Sequence, residues 1–297
     1  MIFGVILFIA IVLSIVGIVS DNYKVAVRRE EIYHKQLPYA FDGFTILQIS
    51  DINGQYQGNY QSRLLDAIDS AEGEYDIVIL TGDYISNPES DDFRPVMDVL
   101  EHLPENIPVF YCLGERDYAA EVKDIETSFR CYNPTEKNEL MREMEKAGAN
   151  FIYPLRKITR RGSSIFLTGT AYNDDVFSDM DFDMDRDFSI CVTHCPITYN
   201  VSSRLVANNA VRLTEVDYDV CLSGHTMGGI IRLPLLGAVY TASGGPFPQE
   251  DITYGLHTDD AGRVTYITSG LGCTENVTFR VLNTPEIALL TLRKSEK

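Results

Sequence analysis

Metal-capable and charged side chains follow five apolar segments of this sequence, each within a few residues of the segment's end. The positions concerned are 50–53, 81–83, 113–117, 193–196 and 223–229. Carboxylates and imidazoles are common ligands of divalent metal ions, and in open α/β sheets ligands bind at the carboxyl ends of the strands. The pattern therefore predicts one metal-capable or ligand-binding edge to which five strands contribute.

The segments that must position these side chains alternate between strand and helix in the first half of the chain. Apolar runs predict buried strands at 44–50, 76–80 and 107–113, and helical spacing predicts helices at 63–71, 93–103 and 137–147. The second half is richer in strands, which we expect at 164–170, 188–193, 220–223, 239–242, 264–268 and 287–292. No linker or repeat divides these elements, which favours one layered α/β domain.

The charge balance limits the classes of partner. The 297 residues carry 25 basic and 43 acidic side chains, a formal net charge of −18, and 45% of them are hydrophobic. This composition is typical of a globular protein and excludes one that follows a nucleic-acid backbone, which needs a basic surface. A small phosphorylated ligand is compatible with it, because a metal ion or a few local cations can offset the global field. The six cysteines have no C-x-x-C spacing, which favours free thiols in a reducing compartment.

Residues 2–19 form an uncharged apolar run. A helix of these 18 residues would span about 27 Å, so we expect a transmembrane helix. A cleaved signal peptide is the alternative, but no basic residue precedes the run and no A-x-A-like site follows it. Positive side chains lie only after the run, which predicts a single-pass cell-membrane protein with a cytoplasmic main domain. The expected division is an anchor at 1–20, a juxtamembrane segment at 21–40 and the main domain at 41–297.

The order of the five strand ends resembles the calcineurin-like metallophosphoesterases, whose pattern is D-x-H, G-D, G-N-H-D/E, a histidine in an H-x-P context, and G-H-x-H. The resemblance extends from about residue 37 to residue 292, and the segments 41–44, 228–234, 270–272 and 285–287 look like the membrane-anchored bacterial branch. It implies a layered β-sandwich flanked by helices. It also implies two adjacent ions of Mn, Fe or Zn, a bridging water that attacks phosphorus, and a histidine near the leaving oxygen.

Half of the eight family positions are kept. Asp51, Asp83, His194 and His225 match two aspartate and two histidine ligands of the family. The other four depart: Asn53 replaces the first histidine, Glu115 the asparagine, Arg116 the catalytic histidine and Met227 the final histidine.

By this resemblance the two metal sites are affected unequally. The retained site would consist of Asp83, Glu115, His194 and His225 and could hold one divalent ion. The degraded site would consist of Asp51, Asn53, Asp83 and Met227. Its amide offers only a neutral oxygen and its thioether is a soft ligand, so a second ion is not expected. Arg116 cannot donate a proton at neutral pH, but it can bind a phosphate or act as an internal cation beside the carboxylates.

Two functions follow from the resemblance. The first is membrane-anchored, metal-dependent phosphoester hydrolysis that is reduced or lost, because losing a catalytic histidine alone costs about two to four orders of magnitude in rate. The alternative is a pseudoenzyme that uses the same groove to bind a phosphorylated ligand or a partner protein. The expected partners are the membrane, through the N-terminal helix, and a phosphorylated small molecule or lipid head group, with no nucleic acid.

Overall fold

The computed structural model describes residues 17, 20, 22–117, 137–153, 155–169, 182–183, 186–197, 218–241, 245–248, 253–274 and 277–296. The α-helices in these ranges are α1 (Ser62–Asp69), α2 (Arg94–His102) and α3 (Glu139–Lys146). The strands are β1 (Ala26–His34), β2 (Thr45–Ile49), β3 (Ile77–Thr81), β4 (Val109–Cys112), β5 (Ala149–Phe151), β6 (Leu155–Arg160), β7 (Ser163–Thr168), β8 (Ser189–Val192), β9 (Val220–Ser223), β10 (Ile231–Leu233), β11 (Gly237–Thr241), β12 (Gly245–Pro246), β13 (Gly255–Thr258), β14 (Val264–Ile267) and β15 (Glu286–Lys294).

Two six-stranded sheets form the body of the described structure. The first has the order β1-β15-β2-β3-β4-β5, in which β2 to β5 are mutually parallel and β15 pairs antiparallel with β2. The second has the order β13-β14-β9-β8-β7-β6, with β14, β9, β8 and β7 parallel. Strands β10, β11 and β12 form a separate small sheet. Parallel pairing brings the carboxyl ends of β2, β3 and β4 to one edge, and those of β8 and β9 likewise.

The two sheets pack face to face. Alternate residues of each strand point to opposite faces, so Ile46, Ile77 and Ile79 of the first sheet join Ile190 and Leu222 of the second in one buried cluster. At the edge formed by the carboxyl ends of the strands, this apolar interface ends in a polar contact. The Gln48 side chain donates to the hydroxyl of Thr81 and to the backbone carbonyl of Ser223 in the other sheet.

The three helices cover the other face of the first sheet. Leu47, Val78 and Leu80 pack there against Leu64 of α1 and Val99 of α2. Helix α3 begins with an N-cap, because the Asn138 side chain accepts a hydrogen bond of 2.9 Å from the N–H of Met141. The mixed α/β sandwich expected from the resemblance is thus confirmed.

The expected N-terminal transmembrane helix must be corrected. No helix among the described residues is long and apolar enough to cross a membrane. The longest of them, α2, has nine residues and rises about 14 Å, whereas a span needs about 20 residues. Apart from Gly17, the apolar run at 2–19 lies outside the described residues.

The segment expected to be juxtamembrane contains regular structure. Within 21–40, strand β1 pairs in parallel with β15 over nine residues. His34, at the end of β1, is buried and lies 3.5 Å from a carboxylate oxygen of Asp219. This part of the chain therefore packs into the folded domain.

Candidate functional site

Five loops at the carboxyl ends of β2, β3, β4, β8 and β9 bring the predicted site residues together. Five of those residues adopt the left-handed backbone region, with φ between 51° and 67°: Asp51, Asn53, Asp83, His225 and Met227. This region is strained for residues other than glycine and is often found at functional sites. The loops therefore turn sharply at the positions where the sequence predicts ligands.

Glycines make these turns possible by leaving room for the carboxylates. A Cβ added to Gly114 would collide with Oδ1 of Asp83, and one added to Gly224 would collide with Oδ2 of Asp51. The two aspartates can therefore enter the interior only because the facing loops have no side chain at these points.

Asp51, Asp83 and His194 form a buried cluster, which we call the deep group. Nε2 of His194 lies 3.3 Å from Oδ2 of Asp83 and 3.9 Å from Oδ1 of Asp51. One donor atom from each residue lies within 4.8 Å of the other two. These residues are at most 5% exposed, so bulk water does not solvate the two carboxylates.

The electrostatics of the deep group follow from burial and close charges. Burial raises the pKa of Asp51, and Asp83 adds to this while His194 opposes it. Burial acts on Asp83 in the same direction, but His194 and then Arg116 outweigh it and lower its pKa to about 2. Burial alone would lower the pKa of His194, yet the Asp83 and Asp51 carboxylates raise it to about 10. The deep group therefore favours a bound positive charge. In the absence of a metal ion, a proton on His194 supplies this charge.

The orientation of His194 suits a metal ligand. Its Nδ1 lies 2.8 Å from the backbone carbonyl of Thr81, so this nitrogen donates and holds the ring. Its Nε2 faces the Asp83 carboxylate at 3.3 Å. Oδ1 and Nδ2 of Asn53 are buried and make no hydrogen bond. Buried polar groups are nearly always paired, so these atoms point to an ion or an ordered ligand.

Arg116 covers one side of the deep group. Its Nε lies 3.3 Å from Oδ2 of Asp83, its backbone N–H donates to Oδ1 of Asp83 at 3.0 Å, and Nη1 donates to the carbonyl of Ser86. The side chain is 25% exposed, so part of the guanidinium still faces solvent. This is the contact expected of an internal cation, and it leaves donors free for a phosphate.

The remaining predicted residues lie at the border of the deep group. Glu115 and His225 approach each other, with Oε1 and Nδ1 at 3.8 Å, and the N–H of His225 donates to the Asp51 carboxylate. Met227 is buried, and its backbone carbonyl accepts a hydrogen bond from Asn283. The expected ligand set of Asp83, Glu115, His194 and His225 is thereby divided: two members lie in the deep group and two lie beside it.

The sequence reasoning missed two residues. Oδ2 of Asp117 accepts from the N–H groups of Asp83 and Gly114, and Oδ1 accepts from that of Tyr84, each at 2.8 Å. Burial, and then the Asp83 carboxylate, raise the pKa of Asp117 to about 7, while these N–H donors act in the opposite direction. The other is Cys195, whose Sγ donates to Oε1 of Glu115 at 3.5 Å. The signal for Asp117 was its place in the loop after β4, and that for Cys195 was its place next to His194.

The donor set of the deep group fits one divalent ion. Metal–ligand bonds of about 2.1 Å separate adjacent ligand atoms by about 3.0 Å in an octahedron and about 3.4 Å in a tetrahedron. The separations of 3.3 Å and 3.9 Å are close to this range. Two carboxylate oxygens and one imidazole are also the hard and intermediate donors that Mn, Fe or Zn accept.

Comparison with known proteins places this arrangement in a family. The family model described as calcineurin-like phosphoesterase matches residues 44–229, which include all five loops. The chain is 26% identical to the uncharacterized metallophosphoesterase YkuE of Bacillus subtilis over 87% of this chain and 82% of that one. It is 27% identical to the phosphodiesterase YaeI of Escherichia coli over 74% and 72% of the two chains. Among solved structures, GAP50 of Plasmodium aligns at 11% identity with a TM-score of 0.40, covering 82% of this chain and 79% of that one. This chain belongs to the calcineurin-like phosphoesterase family.

Proposed function

We propose that this chain is a slow, metal-dependent phosphoester hydrolase that works with one divalent ion in the deep group. The observation that supports this most directly is the buried cluster of Asp51, Asp83 and His194, in which Nε2 of His194 lies 3.3 Å from the Asp83 carboxylate and 3.9 Å from that of Asp51. A bound ion would polarise the phosphate oxygens and make a bound water more acidic. The name of the relative YaeI, a phosphodiesterase, supports a diester as substrate.

The chain's own residues contribute positioning and charge. Asp51, Asp83 and His194 would hold the ion, and the carbonyl of Thr81 keeps the His194 ring in place. The exposed part of Arg116 would bind a non-bridging phosphate oxygen, since guanidinium groups bind such oxygens in bidentate fashion. No imidazole stands at the Arg116 position, so the leaving oxygen must take its proton from water. This is the reason to expect a slow reaction.

The test is Mn-dependent hydrolysis of bis(p-nitrophenyl) phosphate and p-nitrophenyl phosphate by the full chain. The wild type is compared with the Asp51→Asn variant, because asparagine keeps the shape of the Asp51 side chain but removes its charge. We expect a slow rate in the wild type that depends on Mn and falls at least tenfold in the variant. Equal rates in the two proteins would mean that any observed hydrolysis comes from a contaminant.

The second candidate is a protein that binds a phosphorylated ligand without hydrolysing it. The ion pair between Arg116 and Asp83 favours it, because the guanidinium supplies positive charge where the family uses metal and imidazole. This candidate predicts phosphomonoester binding by metal-free wild type that weakens at least tenfold in Arg116→Ala, together with no hydrolysis. A phosphorylated small molecule or lipid head group is the partner class that we propose in either case.

A further inference from the structure

Arg280 carries a charged side chain in the interior of the protein. This side chain is fully buried. Its Nε and Nη2 both donate to the backbone carbonyl of Gly272, and its Nη1 donates to that of Ser269 at 2.7 Å. Burying a charge is costly unless hydrogen bonds or an opposite charge compensate it. All three of these hydrogen bonds end on the loop at 268–273, which we call the glycine loop, so the guanidinium holds this loop in a defined position.

The glycine loop lies against the turn that carries Asp51. The N–H of Leu271 donates to the carbonyl of Ser50 at 3.1 Å, and the N–H of Gly272 donates to the carbonyl of Asp51 at 2.6 Å. A Cβ added to Gly270 would lie only 2.7 Å from Cβ of Asp51 and 2.8 Å from its Oδ2. The backbone of the glycine loop therefore forms one wall of the space that the Asp51 carboxylate occupies.

We propose that Arg280 is a positioning residue for the candidate metal site. Through the glycine loop it holds Asp51 in the turn where the Asp51 carboxylate lies near His194. Asp51 needs such support, because its φ of 54° is strained for a residue other than glycine. This inference rests on the metal-binding role proposed for the deep group, but the position of Asp51 is also testable without metal.

A reciprocal pair of hydrogen bonds fixes the backbone of Arg280. Its N–H donates to Oδ1 of Asn22, and Nδ2 of Asn22 donates to the Arg280 carbonyl, each at 2.8 Å. The guanidinium therefore extends from a backbone that is itself held in place. One series of contacts connects Asn22, near the start of the described chain, through Arg280 and the glycine loop to Asp51.

Hydrogen exchange of the full-length, metal-free protein tests the position of Asp51 directly. The variants are Arg280→Lys, which keeps the charge but has one nitrogen instead of a fork, and Asn22→Ala, which removes the reciprocal pair. Asn22 is only partly buried, so this second variant is expected to fold. The control Asn150→Ala removes an amide that also donates to two backbone carbonyls, but in β5. The control Met144→Ala removes a buried side chain of α3, which packs against β5.

The amides to follow are those of Leu271, Gly272 and His225, because each donates to Ser50 or Asp51. Their rates are taken relative to the amides of β7, so that a loss of global stability does not count. We expect relative rates at least tenfold faster in Arg280→Lys, at least threefold faster in Asn22→Ala, and unchanged in both controls. Unchanged relative rates in both variants would overturn the proposal, whether or not the deep group binds metal. If Arg280→Lys does not fold, Asn22→Ala decides alone.

Mn²⁺ affinity is the property that a merely structural residue would not change. We expect at least tenfold weaker binding in Arg280→Lys, and wild-type affinity in Met144→Ala although that variant is also less stable. An equal loss of affinity in the two variants would show that reduced stability alone is the cause and would overturn the proposal. If the wild type binds no Mn²⁺, the proposed hydrolysis fails, and the exchange rates still decide whether Arg280 positions Asp51.

Discussion

Asp117 fixes the backbone on which the candidate site is built, so replacing it should destabilise the fold measurably. Its carboxylate accepts three backbone N–H groups at 2.8 Å and is 1% exposed. In Asp117→Asn, one oxygen can still accept from Asp83 and Gly114, but the new NH₂ group would face the N–H of Tyr84. A buried donor left without a partner costs about 1–3 kcal/mol. We therefore expect the free energy of unfolding to fall by about 1–3 kcal/mol.

The assay is urea unfolding of the metal-free protein at about pH 8. The control is Asp69→Asn, because the Asp69 side chain is 59% exposed and pairs only with the side chain of His102 among the described contacts. A surface pair of this kind is worth about 1 kcal/mol or less. An Asp117→Asn loss no greater than that of the control would refute the claim that this carboxylate holds the turn.

Three further predictions concern the charge and ligands of the site. Arg116→Gln should strengthen Mn²⁺ binding about tenfold in a calorimetric titration. The reason is that a unit positive charge about 6 Å from a divalent ion costs about 1.4 kcal/mol even at the dielectric constant of water. Unchanged affinity would show that the guanidinium does not act as a competing cation. Although burial alone would lower the pKa of His194, the carboxylates of Asp83 and Asp51 raise it from 6.5 to about 10. The protonated ring therefore stabilises the fold fully below pH 6.5, and this stabilisation is lost as the pH rises to about 10. The Tm of the metal-free protein should therefore fall over this range, and His194→Gln should remove that fall; identical profiles would contradict the assignment. Asn53→His together with Met227→His should raise the Mn²⁺ stoichiometry by about one ion per chain in elemental analysis, and no change would mean that the loops no longer place these positions as ligands.

The strands that position the site were predictable because burial leaves a direct trace in the sequence. Strands β3 and β9 are continuous apolar runs, and each ends within one residue of its expected limit. β1 was missed because its sequence, AVRREEIYH, is rich in charged residues, as suits a strand with exposed side chains. Its partner β15 lies some 260 positions away along the chain, so no local pattern could reveal the pairing.

The candidate site was predictable by residue type but not by grouping. The order of aspartates and histidines along the chain indicated that Asp51, Asp83 and His194 would lie at one edge, but it placed Asp51 and His194 in different metal sites. The left-handed turns at the strand ends, however, decide which donor atoms face each other. They leave Glu115 beside Cys195 and His225. Such turns depend on tertiary packing, and the residue types at these positions do not reveal them.

The most direct test of the account is the binding of Mn²⁺ to the deep group. The full-length, metal-free protein, its Asp51→Asn variant and a Cys195→Ser variant are titrated with Mn²⁺, and free ion is measured by electron paramagnetic resonance. The account predicts about one tightly bound Mn²⁺ per chain in the wild type and in Cys195→Ser, and at least tenfold weaker binding in Asp51→Asn. Wild-type protein that binds no Mn²⁺, or Asp51→Asn protein that binds it equally well, would contradict the claim that the deep group is a metal site.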